Sequence, residues 1–474
     1  MTDALAQKLN HGVRGHRRIH FESRVPFGPG LFLARYRLGN GLRVYVLPDA
    51  SAPVVSYQTW FRVGSRDEEP GKTGLAHMFE HLMFFGTAAH PTGDFDRLLE
   101  ASGAENNAST WTDWTQYHEN LPKSALPLAI ALEADRMSNL DLDPEEWARE
   151  REVVRNERSQ SVDDDVYGAA SEQLWALAFD KHPYGWPTIG WARDIEGYTR
   201  EDCLRFYRRW YAPNNATLVV VGDVSEVDVL ERVRDAYGAL RPAKIARRPT
   251  PPAAALRKSR RKSLVKPTPT AKLLMGYRAP GMADPDSIVL GILRELLTGG
   301  LSGRLTRAMT RESELASMVF ASAAPFRDGT LFEVFADLRE GVTAAVAEAR
   351  VERELLRLAH EPVSAAELDK VRHQAELSFL TSMETAAGKA EQIGFYDSVM
   401  DDPSAVFARA EAYRTMGPED VQRVARRLFD GRARVVVDIQ PTVAKPPTPR
   451  KRAAQRAVAH RDDAHTVTET GARS

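Results

Sequence analysis

The sequence lacks the residues that several classes of site require. It contains a single cysteine, Cys203, in 474 residues. One cysteine excludes a disulfide within the chain and any metal site built mainly of thiolates. We expect Cys203 to be a small buried thiol in the helical segment REDCLRFYRRWY rather than a nucleophile. Any catalytic chemistry must therefore come from other residue types.

An excess of charge and a long apolar run are also missing. Lys and Arg total 64 and Asp and Glu total 65, so no net field favours nucleic acid or an anionic membrane. No apolar stretch approaches the roughly 18 residues that span a membrane. The N-terminus lacks the apolar core and cleavage site of a secretory signal. We therefore expect a cytoplasmic protein without nucleic-acid or membrane partners.

Composition divides the chain into two halves. Residues 241–270 contain ten Lys or Arg, six Pro and no acidic residue, which is typical of a solvated linker. A nucleic-acid patch is the alternative, but no aromatic residues are present to stack on bases. Residues 1–30 predict an N-terminal extension, and residues 441–474 predict a disordered tail. The two globular domains would then be residues 31–240 and 271–440.

The two halves share a pattern that predicts one fold used twice. Each ends in a β-branched strand, ATLVVVGDV in the first and ARVVVDIQP in the second. Each also has an N-cap acceptor, Asp143 or Ser364, followed three residues later by Glu. Alternating strands mixed with long helices predict an α+β protein. We expect each domain to be an antiparallel-rich sheet covered by helices.

Two histidines and a glutamate lie within one apolar stretch, GLAHMFEHLMFFGT. Apolar residues at a spacing of three to four predict a helix here. His77 and His81 are four residues apart, so they project from one side of that helix. Glu80 lies beside them, within reach of a water bound there. A carboxylate in apolar surroundings needs a positive partner, so the pattern favours a metal over ordinary core histidines.

Zinc suits these ligand types best, because a catalytic zinc takes three protein ligands and a water. The third ligand must come from another segment. The helix DPEEWAREREVVRNERSQS offers Glu150 and Glu157, two turns apart on one face. Spacing alone does not distinguish these residues from Glu152 or from solvated surface glutamates.

The sequence around the histidines resembles a known peptidase family. The order His-x-x-Glu-His, within LGNGLRVYVLPDASAPVVSYQTWFRVGSRDEEPGKTGLAHMFEHLMFFGT, is similar to the pitrilysin, insulin-degrading enzyme and mitochondrial processing peptidase family of zinc metalloendopeptidases. The resemblance extends from about Tyr36 to Asp438 and is to the short, two-domain bacterial type. It implies two homologous domains that form half of a clamshell.

The resemblance also implies a role for each residue of the motif. His77, His81 and Glu157 would hold one Zn²⁺ per chain. Glu80 would be the catalytic general base. Glu150 would support the site by orienting a ligand. The implied function is that of a zinc metalloendopeptidase that cleaves unfolded peptides with a zinc-activated water.

A second stretch, NASTWTDWTQY, resembles the family's strand beside the substrate cleft. The resemblance implies that this edge strand binds the substrate backbone at Asn107 and Ala108. Main-chain hydrogen bonds would hold a peptide whatever its sequence. An ordinary polar hairpin is the alternative.

An Arg–Tyr pair that family members use to bind substrate in the second half is missing. The tyrosine position is Ser317 and the arginine position is Thr310, with Arg311 one residue away. The resemblance therefore implies the zinc-bearing subunit of a two-chain enzyme, a heterodimer in which a homologous chain supplies the pair. A homodimer is the other arrangement considered. The alternative function is a non-catalytic scaffold or assembly subunit.

Overall fold

Seven strands from the first half of the chain form one sheet. The structure is a computed structural model that describes residues 4–247, 250 and 256–442. Within those residues the strands are β1 (Ile19–Pro26), β2 (Phe32–Leu38), β3 (Arg43–Pro48), β4 (Val54–Phe61), β5 (Glu105–Thr110), β6 (Thr115–Pro122) and β7 (Ala216–Gly222). Their order across the sheet is β1-β2-β3-β7-β4-β6-β5. Neighbours are antiparallel except β3 and β7, which are parallel.

Five strands from the second half form the other sheet of the described chain. They are β8 (Arg260–Lys266), β9 (Lys272–Ala279), β10 (Ala316–Ala323), β11 (Thr330–Leu338) and β12 (Val435–Pro441). Their order is β10-β11-β9-β12-β8. Here β12 and β8 are parallel and the other neighbours are antiparallel.

The two sheets have the same topology. Read from the parallel pair, the first sheet runs β3-β7-β4-β6-β5 and the second runs β8-β12-β9-β11-β10. In each half the strand that comes last along the chain lies between the two that come first in this set. Thus β7 lies between β3 and β4, and β12 lies between β8 and β9. The predicted α+β class is confirmed, and the strand order is used twice.

Helices connect these strands and cover the sheets. In the described residues they are α1 (Ala4–Leu9), α2 (Leu75–Leu82), α3 (Asp94–Ala101), α4 (Leu126–Asn139), α5 (Pro144–Arg158), α6 (Val166–Phe179), α7 (Ala192–Gly197), α8 (Arg200–Trp210), α9 (Glu226–Tyr237), α10 (Ser287–Thr298), α11 (Arg304–Thr306), α12 (Ala344–His360), α13 (Ala365–Ser382), α14 (Ala386–Met400), α15 (Ala405–Thr415) and α16 (Pro418–Phe429). Cys203 is buried in α8, as expected.

One face of each sheet packs on helices from its own half. Apolar residues of α2, α4, α8 and α9 form a common core with the first sheet. Apolar residues of α10, α12 and α16 do the same with the second sheet. Burial of these apolar faces is the main force that holds the helices in place.

The opposite face of each sheet is covered by a helix from the other half. Ala390 and Ile393 of α14 pack on the first sheet beside Trp60 and Val219. In return, α6 packs on the second sheet through a set of buried residues that includes Leu174 and Phe179. The halves therefore exchange one helix each.

The structure differs from the sequence-based boundaries at two strands. Residues 260–266, which composition placed in the linker, form β8 and pair with β12. Residues 19–26, placed in the N-terminal extension, form β1. Both are edge strands held by backbone pairing, and the largely exposed side chains of β8 gave no apolar alternation to detect. The domain boundaries otherwise stay predictions, and the predicted tail lies almost entirely outside the described residues.

Candidate metal centre

A buried carboxylate holds the first turn of α2. Glu68 accepts hydrogen bonds from the backbone N–H groups of Gly74 (2.9 Å) and Ala76 (2.8 Å). Such first-turn donors have no partner within a helix. Gly74 has a φ of 94°, and a Cβ there would lie 2.5 Å from the carbonyl oxygen of Ile189. Glycine is therefore required at this position, and α2 starts from a fixed point.

The histidines of α2 lie one above the other, as the spacing predicted. The apolar side of the helix is buried, and the O–H of Tyr117 donates to the carbonyl of Phe79 at 2.7 Å. This fixes how the helix sits on the sheet. His77 and His81 are half-buried, and their ring centroids are 5.0 Å apart.

Helix α5 brings Glu157 to these two rings. Asp143 caps the helix by accepting hydrogen bonds from two backbone N–H groups of its first turn. Val154, one turn before Glu157, is fully buried and anchors the helix. The distance from Glu157 Oε1 to His77 Nε2 is 3.4 Å, and that from Glu157 Oε2 to His81 Nε2 is 3.3 Å.

The other candidate glutamates of α5 have different surroundings. Glu150 lies 2.8 Å from Nδ1 of His81, on the side of the ring away from Glu157. Glu152 is half exposed and pairs with Arg155 at 3.3 Å. The geometry thus separates three glutamates that spacing could not.

Glu150 and Glu157 determine the charge of the site in the metal-free protein. Burial alone would lower the pKa of His81, but hydrogen bonds and charges from Glu150 and Glu157 outweigh burial and raise it to about 9. Hydrogen bonds from His77 and His81 hold the pKa of Glu157 well below its usual range. Glu157 is therefore an anion at neutral pH, as a metal ligand must be.

The donor set fits a zinc ion. One ligand atom from each of His77, His81 and Glu157 lies within 4.8 Å of the other two, and this is the one such cluster found in the described residues. Glu157 Oε2 is buried and lies beside the ring nitrogen Nε2 of His81, at 3.3 Å. Two imidazoles and a carboxylate are a set that leaves a fourth position open on tetrahedral zinc.

Strand β5 forms one edge of the first sheet, beside α2. The N–H of Trp111 donates to the carbonyl of Trp114 at 2.9 Å, and hydrogen-bonded pairs alternate along an antiparallel ladder from that point. The N–H and C=O of Ala108 therefore point away from β6. The amide of Ala108 instead donates to Oδ1 of Asn107 at 2.8 Å. Both predicted substrate-binding residues thus lie on an unpaired strand edge.

The positions of the missing Arg–Tyr pair lie in and beside β10. Thr310 donates to the carbonyl of Thr306 at 2.7 Å within a π-helical turn. Ser317 is exposed and donates to the carbonyl of Asp337 at 3.2 Å. Neither residue offers a long cationic or aromatic side chain for a substrate.

Arg158, which no sequence pattern singled out, joins α5 to the start of α2. Its Nη1 donates to the carbonyl of Gly190 at 2.6 Å, and its Nη2 lies 2.8 Å from Oε2 of Glu172. Gly190 in turn packs against Thr73, whose carbonyl oxygen would lie 2.4 Å from a Cβ at Gly190. Arg158 thus links the end of the helix that carries Glu157 to the residue before Gly74. Neither Arg158 nor Glu68 was predicted to have a structural role, because charged residues in polar segments are usually solvated.

Comparison with known proteins gives a consistent result. The family model described as Insulinase (Peptidase family M16) matches residues 43–191, and the model described as Peptidase M16 inactive domain matches residues 197–375. An uncharacterized zinc protease from Mycobacterium leprae is 31% identical over 324 residues, which cover 66% of this chain and 71% of the relative. The chain belongs to peptidase family M16.

Other relatives of this M16 chain cover more of it. Zinc protease PqqE from Helicobacter pylori is 29% identical over 408 residues, which cover 85% of this chain and 92% of the relative. A probable mitochondrial-processing peptidase subunit beta from Arabidopsis thaliana is 27% identical over 368 residues, covering 75% and 68%. The crystal structure of a protease from Helicobacter pylori superimposes with a TM-score of 0.83 at 28% identity, covering 86% of this chain and 99% of that one.

No helix in the described part of this M16 chain is both long and apolar enough to cross a membrane.

Proposed function

We propose that this M16 chain is a zinc-dependent endopeptidase. The convergence of His77, His81 and Glu157 from two helices carries the proposal. These three residues would hold one zinc ion, and Glu150 would fix the ring of His81 through Nδ1.

The remaining residues would position and move protons. Bound zinc would supply a Lewis acid that lowers the pKa of water and polarises a carbonyl. Glu80 would accept a proton from the attacking water at its carboxylate and donate it to the leaving amine. Glu80 is on α2, three residues after His77 and one before His81, and side chains three apart on a helix are neighbours.

The substrate that this site fits is an extended, unfolded peptide. The outward-pointing N–H and C=O of Ala108 offer a main-chain partner for an added strand. Asn107 Oδ1, which accepts from the Ala108 amide in the free protein, would have to release that amide when a peptide binds. Side-chain tolerance follows, because most of the binding would come from backbone groups.

We further propose that the chain acts with a second, homologous chain. Ser317 and Thr310 occupy the positions of the family's Arg–Tyr pair, so a partner chain would supply that part of the site. A homodimer is the simpler arrangement if the pair is dispensable. A cytoplasmic location stays a prediction.

The test is cleavage of an internally quenched, unstructured peptide by the purified, zinc-loaded chain. Glu80→Gln should abolish turnover while zinc stays bound, because Glu80 is not one of the three ligands. Glu100→Gln, at an exposed acid of α3 outside the cluster, should leave turnover unchanged. Turnover by Glu80→Gln at the wild-type rate would refute the assignment of the base.

A non-catalytic assembly subunit is the second candidate, favoured by the missing Arg–Tyr pair. In that case neither the chain alone nor the chain mixed with a homologous chain that carries the pair would cut the peptide. Zinc content discriminates poorly, because a subunit without activity can still bind metal. Restored turnover on adding the second chain would instead support the two-chain enzyme.

A further inference from the structure

The hairpin between β5 and β6 presents a tryptophan on a rigid base. The side chain of Trp111 is 45% exposed. Its backbone is fixed, since its carbonyl accepts from the amide of Ser65 (3.2 Å). Its ring stacks on Trp114 at 6.3 Å and meets the edge of Phe326 at 5.9 Å between centroids. One side of the indole therefore remains open to solvent.

An ion pair and hydrogen bonds of Asp113 hold the next residues of the hairpin tip in place. Asp113 is buried and lies 2.8 Å from Nη1 of Arg66. Its other oxygen accepts from the backbone amide of Arg327 (2.8 Å), and it also accepts from the O–H of Tyr184 (2.8 Å). A surface tryptophan that is held this firmly loses little conformational entropy when it binds a ligand.

Trp111 is on the same face of the strand as Asn107. Side chains alternate along β5, so Asn107, Ser109 and Trp111 share one face, while Ala108 packs into the core on the other. A peptide paired with the outer edge of β5 would have its own alternating side chains. A peptide residue directly opposite one of these residues, on the same face, would have its Cβ atom within about 5.5 Å of the Cβ atom on β5.

We infer that Trp111 forms an apolar subsite that selects peptides with an aromatic or large aliphatic side chain a few residues from the scissile bond. The inference rests on the proposed function, in that the occupant is the extended peptide that pairs with β5. The open indole face and its aromatic neighbours Trp114 and Phe326 are what an apolar side chain would bury against.

The pleat gives this subsite a distinctive signature. A peptide side chain contacts Trp111 only if it points to the Trp111 face, so immediate neighbours along the peptide point away. A phenylalanine that is moved one position at a time through a Gly/Ala/Ser peptide should therefore raise kcat/KM at one position, by about tenfold, and not at the adjacent ones.

The experiment compares three full-length, zinc-loaded proteins on this peptide series: wild type, Trp111→Ala and Phe32→Ala. Phe32 is the matched control, since it is 50% exposed and lies on β2, near the opposite edge of the same sheet. Trp111→Ala should remove the gain from phenylalanine, so that every peptide of the series is cut with the same kcat/KM. Phe32→Ala should keep the wild-type pattern.

Binding separates this inference from the proposed function. Fluorescence anisotropy of the labelled peptides is measured on the Glu80→Gln protein in three forms: with Trp111 unchanged, with Trp111→Ala, and with Trp111→Phe, which retains an aromatic ring if alanine unfolds the hairpin. Position-dependent binding that needs an aromatic residue at 111, without cleavage by the wild type either alone or mixed with the homologous second chain, would support the subsite and overturn the enzyme. Cleavage that ignores the position of phenylalanine would support the enzyme and overturn the subsite.

Discussion

Replacement of Arg158 by methionine tests whether the distance between the two helices of the site is set by one guanidinium. Methionine keeps much of the side-chain volume and removes every hydrogen bond of the buried Arg158. Glu172, whose side chain is 9% exposed, would lose its cation, and the carbonyl of Gly190 would lose its donor. Breaking a buried pair in this way costs about 3–5 kcal/mol.

Zinc affinity should fall because Glu157 moves away from the histidines, and not only because the folded protein becomes less stable. Glu157 is the neighbour of Arg158, so release of the end of α5 would increase the separation between Glu157 and the histidines. Loss of residues that orient ligands typically weakens metal binding by about 10–100-fold. We expect the zinc dissociation constant of Arg158→Met to rise within this range. Competition with a coloured chelator measures it directly.

Two control variants make this result interpretable. Arg155→Met removes an exposed arginine of the same helix that pairs with Glu152 at 3.3 Å, and it should not change zinc affinity. Val421→Ala, in the core of the second half, should lower the melting temperature without changing zinc affinity. If Arg158→Met bound zinc as tightly as the wild type, the proposed link between α5 and α2 would be wrong.

Two further predictions concern the second half of the chain. Burial raises the pKa of Glu333 to about 7. Between pH 4.5 and 7 the folded protein therefore binds a proton that the unfolded chain has released. The free energy of unfolding should fall by about 3 kcal/mol as pH rises through this window. Glu333→Gln should remove that fall in urea unfolding measured at several pH values; an unchanged pH profile would contradict it. Glu314 has a φ of 47°, a left-handed conformation that costs a residue with a Cβ roughly 1–2 kcal/mol. Glu314→Gly should therefore raise the free energy of unfolding, by about 0.5–1 kcal/mol once the greater entropy of unfolded glycine is subtracted, and a lower urea midpoint would show that the conformation is not strained.

Local patterns predicted much of the site. The spacing of His77 and His81 in an apolar stretch was sufficient to predict a helix with both rings on one side. The N-cap signals at Asp143 and Ser364 also predicted real helix starts. These features depend on residues within one or two turns of each other, which the sequence places together before any tertiary contact forms.

Features that depend on distant contacts could not be predicted in this way. Helical spacing left Glu150, Glu152 and Glu157 as alternatives, and the resemblance to a family was needed to choose among them. Arg158 is charged and lies in a charged helix, so only the fold reveals that it is buried. The strand β8 was hidden because an edge strand needs backbone partners but no apolar side chains.

The exchange of α6 and α14 between the halves also has a consequence for synthesis on the ribosome. When the first half has emerged, the face of its sheet that includes Trp60 and Val219 is complete but bare, because α14 begins only at Ala386. An apolar face of this kind is a liability for aggregation while the rest of the chain is being made. The core on that face cannot close until α14 has been translated, so the nascent protein should depend on chaperones until late in its synthesis.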